Sequence, residues 1–166
     1  MLLNKKDYLA IQKATIDYLT IQRTTMLVVI DPAFAAPHQL VKKVKAGAKV
    51  LLLDPKQDSI AQITTALTAG NYDSLHLVSH GSTGCLHLGD TNLSSETIAQ
   101  YKQQFLEWGI AEILIYGCNV AVNRDLLVKL NLLTGASITA VAKGNWTLEW
   151  QIGAIISDSA FSEELH

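Results

Sequence analysis

Apolar residues along this chain fall into short runs separated by segments of helical spacing. Met26–Ile30 is unbroken apolar and ends in Asp31-Pro32, which predicts a strand buried on both faces. His38–Lys45 follows as a short helix closed by Gly47, a residue suited to the left-handed turn that ends helices. Lys49–Leu53 reads as a second buried strand, again followed by Asp-Pro. Asp58 or Ser59 then caps a helix that places Ile60, Ile63, Ala66 and Leu67 on one side and stops at Gly70. Leu75–Val78 predicts a third strand, and Cys85–Asp90 a small hairpin or excursion. A helix from Ser94 or Ser95 to Trp108 comes next, then a fourth strand, Glu112–Tyr116. Leu126, Leu127, Leu130 and Leu133 mark a helix capped by Gly135, and Ser137–Val141 a fifth strand. Asn145–Trp150 and Ile152–Ile156 read as a closing hairpin around Gln151, and Ser157–His166 as a polar, frayed tail.

Strands alternating with helices of about ten residues mean βαβ units and a mainly parallel sheet. Right-handed crossovers put helices on both faces. The fold class is therefore α/β, a three-layer α/β/α sandwich with strand order 2-1-3-4 followed by the later strands. Residues 26–157 form this domain and 158–166 the polar tail. Residues 1–25 read as a separate extension of helical character. There Asp7-Tyr8-Leu9-Ala10-Ile11-Gln12 nearly recurs as Asp17-Tyr18-Leu19-Thr20-Ile21-Gln22, and the segment is a candidate contact between copies of the chain.

Composition narrows the function classes. The chain has 166 residues and a net charge of -2, an ordinary globular balance with no basic block for nucleic acid or a membrane surface. No apolar run approaches the length of a bilayer span, and the first residues do not read as a secretory leader. The cytoplasm is the expected compartment. Two cysteines allow at most one disulfide, so this is no disulfide scaffold.

Chemistry enters at the strand ends. In open parallel sheets, ligands bind beyond the carboxyl ends of the strands, and four successive strands here run into Asp31, Asp54, His80 and Cys118. With strands three and four as neighbours about 4.8 Å apart, His80 and Cys118 come within reach of each other. A cysteine nucleophile needs a base, exposure and donors for the oxyanion. His80 supplies the base. Gly81 permits close backbone approach, and the N–H of Cys118 is a second donor. Cys118 also lies before a helix, whose positive N-terminal end would lower the thiol pKa. The competing reading is a pair of glycine turns with a locally bonded histidine and a packed, inert thiol. Asp31 and Asp54 before proline are equally well explained as turn openers.

The stretches Leu75-His76-Leu77-Val78-Ser79-His80-Gly81, Leu86-His87-Leu88-Gly89 and Ile113-Leu114-Ile115-Tyr116-Gly117-Cys118-Asn119 resemble the caspase-like cysteine peptidases (clan CD), which include caspases, gingipains, separase and CHAT domains. Within that group the chain is similar to a bacterial domain of unknown function, number 4347, often found at the start of large adhesin-like surface proteins. Asp31, Leu53-Asp54-Pro55 with Asp58, Ile60 and Gln62-Ile63, and Trp146-Thr147-Leu148-Glu149 share in this resemblance, which covers residues 26–153.

The resemblance implies peptide-bond hydrolysis through a thioester, with His80 as base, Cys118 as nucleophile, Gly81 in the oxyanion hole and no cofactor. It also implies a pocket for one substrate side chain. Asp31, placed to line it, implies Arg or Lys at the cleaved position. Gly117 departs from the Ala or Ser that several members carry before the cysteine, and no long segment reads as an activation loop. Both departures fit the second class of function, a catalytically silent interaction domain of the same fold. Two other constellations are weaker. Cys118 to Arg124 has the outline of a phosphatase loop but lacks the internal glycine such loops use. His76, His80, Cys85, His87 and Cys118 lack the close pair spacing of a structural zinc site.

Overall fold

The computed structural model describes residues 3–21, 25–143 and 147–162, with side chains of residues 16–21 left aside. Helix α1 (Lys5–Ile21) is followed by a six-stranded sheet. Its strands are β1 (Met26–Ile30), β2 (Lys49–Leu52), β3 (Ser74–Val78), β7 (Glu112–Tyr116), β8 (Ser137–Val141) and β9 (Leu148–Ile152). Their order is β2-β1-β3-β7-β8-β9. All pairings are parallel except β8 with β9. The expected 2-1-3-4 order therefore holds, with β7 as fourth strand. Between β3 and β7 lies a separate antiparallel sheet of β4 (His80–Ser82), β5 (Cys85–Leu88) and β6 (Thr91–Ser94).

The helices are α2 (Pro37–Lys43), α3 (Ser59–Ala69), α4 (Lys102–Glu107) and α5 (Asp125–Thr134). Alternation along the fully buried strands assigns Leu27, Val29, Leu75, Leu77, Ile113 and Ile115 to one face. There they pack against Ile60 and Ile63 of α3, Phe105 of α4 and Leu126, Leu127 and Leu130 of α5. Val28, Ile30, Val78, Leu114 and Tyr116 turn to the other face, where they meet Leu40 of α2 together with Ala160 and Phe161. Asp58 caps α3 by accepting the Ala61 N–H at 2.7 Å. Gly135, at φ 71°, ends α5 with its N–H on the Asn131 carbonyl.

Four sequence expectations are revised. The Ser94–Trp108 helix is split into a 3-10 turn, Ile98–Tyr101, and the short α4. The closing hairpin around Gln151 is a single strand, β9, paired to β8, and residues 144–146 lie outside the described ones. The tail is docked over residues 156–162, where Ala160 and Phe161 are buried. Finally, α5 begins at Asp125 and not next to Cys118. Asn119 in a left-handed conformation (φ 61°) and a 3-10 turn, Val120–Val122, intervene. The helix N-terminus therefore does not follow directly on the thiol-bearing residue. Helix α1 is formed as expected, with every residue from Leu3 to Thr15 exposed. Among the described residues no helix is long and apolar enough to cross a membrane.

Candidate functional site

Strands β3 and β7 run in register, Val78 opposite Tyr116. His80 and Cys118 each lie two residues beyond that last pair, so the parallel sheet delivers both to the same edge. Two glycines close the remaining gap. A Cβ on Gly81 would stand 2.6 Å from the Cys118 carbonyl oxygen and 3.0 Å from the Gly117 carbonyl carbon. One on Gly117 would stand 2.7 Å from Leu86 Cδ1. The chain bends from β3 into β4 directly against the segment bearing the thiol, and any side chain at either glycine blocks that approach.

The His80 side chain is exposed and Cys118 is half-buried. The imidazole is held by its far nitrogen, with Nε2 3.3 Å from the Ala33 carbonyl oxygen, and its ring lies 5.4 Å from that of Phe34. A carbonyl only accepts, so Nε2 carries a proton, and in the neutral form of the ring the lone pair is on Nδ1. No hydrogen bond joins His80 to Cys118 among the described residues. Ala33 carries no signal in the sequence, because its contribution is a backbone atom.

Asp31 is placed differently from a pocket-lining residue. It is 2% exposed. Oδ1 accepts the Ala33 N–H and Oδ2 the Gly89 N–H, both at 2.7 Å. The carboxylate thus ties the turn after β1, and with it the His80 anchor, to the corner between β5 and β6. Ser59 secures the same corner by donating to the Leu88 carbonyl at 2.8 Å. Asp54 is a turn opener, accepting from Lys56 N–H and Gln57 Nε2.

A family model, Domain of unknown function (DUF4347), matches residues 27–166. The chain belongs to that family. No curated protein matches the sequence. The match takes in the whole sheet and the docked residues 156–162 of this DUF4347 domain, and α1 precedes it.

The second cysteine of the domain is on the small sheet. Cys85 is opposite Ser82 on the small sheet, its sulfur 4.0 Å from His87 Nδ1. Burial raises its pKa, against a lowering contribution from the Ser82 hydroxyl, so this thiol is kept protonated. His87 is itself held by Ser82 and Asn92. Both cysteines are free. Among the described residues no three His, Cys, Asp or Glu side chains are grouped to hold a metal ion.

His76 is buried beneath the site. Its Nδ1 lies 3.1 Å from the Tyr116 hydroxyl and its Nε2 3.1 Å from Ser74 Oγ. The Tyr116 oxygen also accepts the Ala160 N–H. Burial lowers the His76 pKa to about 4, with Glu112 opposing and Lys45 reinforcing the effect.

Proposed function

We propose that this domain is a cysteine endopeptidase in which His80 and Cys118 act as a thiol–imidazole pair on a peptide or protein substrate. The observation that carries the reading is the His80 ring anchored by Nε2 to the Ala33 carbonyl, with the next residue, Gly81, packed against the Cys118 backbone. A base fixed in this tautomer offers Nδ1 to a thiol, and the carbonyl stabilises the imidazolium once the proton has moved. In this reading the Cys118 sulfur loses its proton to Nδ1 and the thiolate attacks the scissile carbonyl. The N–H groups of Gly81 and Cys118 receive the oxyanion. The imidazolium then protonates the leaving amine, and water, activated by the same ring, hydrolyses the thioester. The separation in the free site shortens when substrate closes the pair. Asp31 acts here as a buried tie, and the side-chain preference at the cleaved position is not assigned to it.

The test is the pH dependence of iodoacetamide alkylation at Cys118. The reading predicts alkylation well below the pH at which an ordinary thiol ionises, at about pH 8.5, and a shift of the profile to higher pH in His80→Ala. A native profile with an ordinary thiol midpoint that His80→Ala leaves in place overturns it.

A second reading, a catalytically silent interaction module, is favoured by α1, on which Tyr8, Leu9 and Ile11 are each more than half exposed. It predicts self-association by light scattering that is lost when these three are changed to Ser, together with a Cys118 that does not alkylate below the ordinary thiol range.

A further inference from the structure

The segments bearing His80 and Cys118 share a support on the far side of the sheet from α3, α4 and α5. Strand β3 carries His76 and leads into His80. Strand β7 carries Tyr116 and leads into Cys118. The Tyr116 hydroxyl joins the two strands through His76 Nδ1, and it also takes the Ala160 N–H at 3.3 Å. One oxygen thus connects the histidine strand, the cysteine strand and the strap formed by residues 156–162.

The strap reaches the other support of His80 as well. Lys45 N–H donates to the Ala160 carbonyl at 2.8 Å. The N–H and hydroxyl of Ser162 donate to the Lys43 carbonyl at 3.0 and 3.1 Å, and Phe161 bridges to Val44. All these partners lie at the end of α2, whose first residue, Pro37, comes four positions after Ala33, the residue that holds His80. At its other end the strap gives the Ile156 and Ser157 N–H groups to the Glu112 carboxylate, at 2.6 and 2.9 Å. The ring of Phe161 stands edge-on to Tyr116, centroids 5.5 Å apart. Besides the strap, helix α2 is held by Leu40, buried in the apolar cluster, and by the partly buried Val41 packed against it. It is seven residues long, buries only Leu40, and starts from Ala36, a left-handed residue with no capping side chain. A helix of this length has no independent stability in water, so its position depends on what is packed against it.

We propose that the strap is a clamp on the catalytic pair: docked, it fixes α2 and the Ala33 carbonyl against His80; undocked, it releases that turn and the pair loses its geometry. The inference rests on the thiol–imidazole reading and adds a means of regulating it.

Phe161→Asp in the full chain tests it, because it places a carboxylate where the buried ring sits. Hydrogen exchange at the Ser157 and Ala160 amides reports undocking, and far-UV circular dichroism reports the sheet. The expected result is free exchange of these amides, an intact sheet, and Cys118 alkylation at neutral pH slowed about tenfold, toward the His80→Ala rate, as a one-unit rise in thiol pKa requires. Adding Phe161→Asp to His80→Ala then has no further effect. Phe161→Ala, a milder change, gives a rate between native and Phe161→Asp, in proportion to the fraction of strap undocked. It carries the test alone if Phe161→Asp does not fold. A native rate that drops in His80→Ala but is indifferent to strap undocking overturns the clamp alone. A native rate indifferent to His80→Ala overturns the catalytic reading beneath it.

Discussion

On one face of the sheet, Leu27, Val29, Leu75, Leu77, Ile113 and Ile115 pack under three helices, with Phe105 and Trp108 in edge contact, ring centroids 4.7 Å apart. On the other, Val28, Ile30, Val78 and Leu114 lie under one seven-residue helix and an irregular strap, in the company of buried Ser74, His76 and Glu112. The first face is held by apolar area with a few neutral hydrogen bonds, such as Ser59 to the Leu88 carbonyl and Trp108 Nε1 to Thr64 Oγ1. The second combines a smaller apolar cluster with a polar network in which each member is satisfied: Ser74, His76, Tyr116 and the Ala160 N–H in a chain, with Glu112 on two strap amides. Apolar packing is indifferent to pH, whereas a buried network of titratable groups is not. The difference separates a face that holds the fold from a face that can be switched.

The largest effect belongs to the regular face. Phe105→Ala removes a fully buried ring from the main core and is expected to cost about 4 kcal/mol in urea unfolding. The second face responds to acid instead. The ordinary His76 value is 6.5, and burial brings the folded value to about 4. Above pH 6.5 the ring is neutral in both states and contributes no pH dependence. As pH falls from 6.5 to 4, the unfolded chain takes up a proton that the folded chain refuses, and stability drops by about 3 kcal/mol. Burial pushes the Glu112 carboxyl up, but the Ser157 hydroxyl and N–H, the Ile156 N–H and the His76 charge together leave it below its ordinary 4.5. Its contribution is therefore complete above 4.5 and is lost as pH falls further. Urea midpoints measured from pH 7 to 4 should fall in the native chain and flatten in His76→Gln. Equal slopes in the two would remove the distinction between the faces.

A smaller cost, about 2 kcal/mol, is expected for Phe161→Ala, less than for a ring in an enclosed core because the strap can collapse onto the site. A cost as large as that of Phe105→Ala would make the strap a full part of the core. The smallest change is Asp58→Ala, which removes the cap of α3 and should lower the thermal midpoint by an amount equivalent to about 1 kcal/mol, with no effect on strap amide exchange.

How much of this was legible follows the same division. The strands were readable because continuous apolar runs such as Leu27–Ile30 and Ile113–Ile115 need burial on both faces, and α3 and α5 because Asp58 and Gly135 mark their ends. The strand ends at His80 and Cys118 followed from that. The strap was not legible: Ser157–Ser162 is polar in sequence, and what fixes it is mostly backbone N–H and carbonyl groups meeting side chains more than forty residues away, such as Glu112 and Tyr116. Ala33 was invisible for the same reason. The resemblance implies a pocket-lining Asp31, because sequence shows the residue type and not the two amides that enclose it. The 3-10 turn between Cys118 and α5 was not legible, because the left-handed residue that opens it is Asn119 and not a glycine.

The central claim is that one thiol of this chain is activated by one imidazole. Incubation with a peptidyl acyloxymethyl ketone, followed by mass spectrometry of the digested chain, tests it most directly. The account predicts a single adduct on Cys118, none on Cys85, whose thiol burial keeps protonated, and loss of the adduct in His80→Ala. Equal labelling of both cysteines, or a Cys118 adduct that forms as fast without His80, would contradict it.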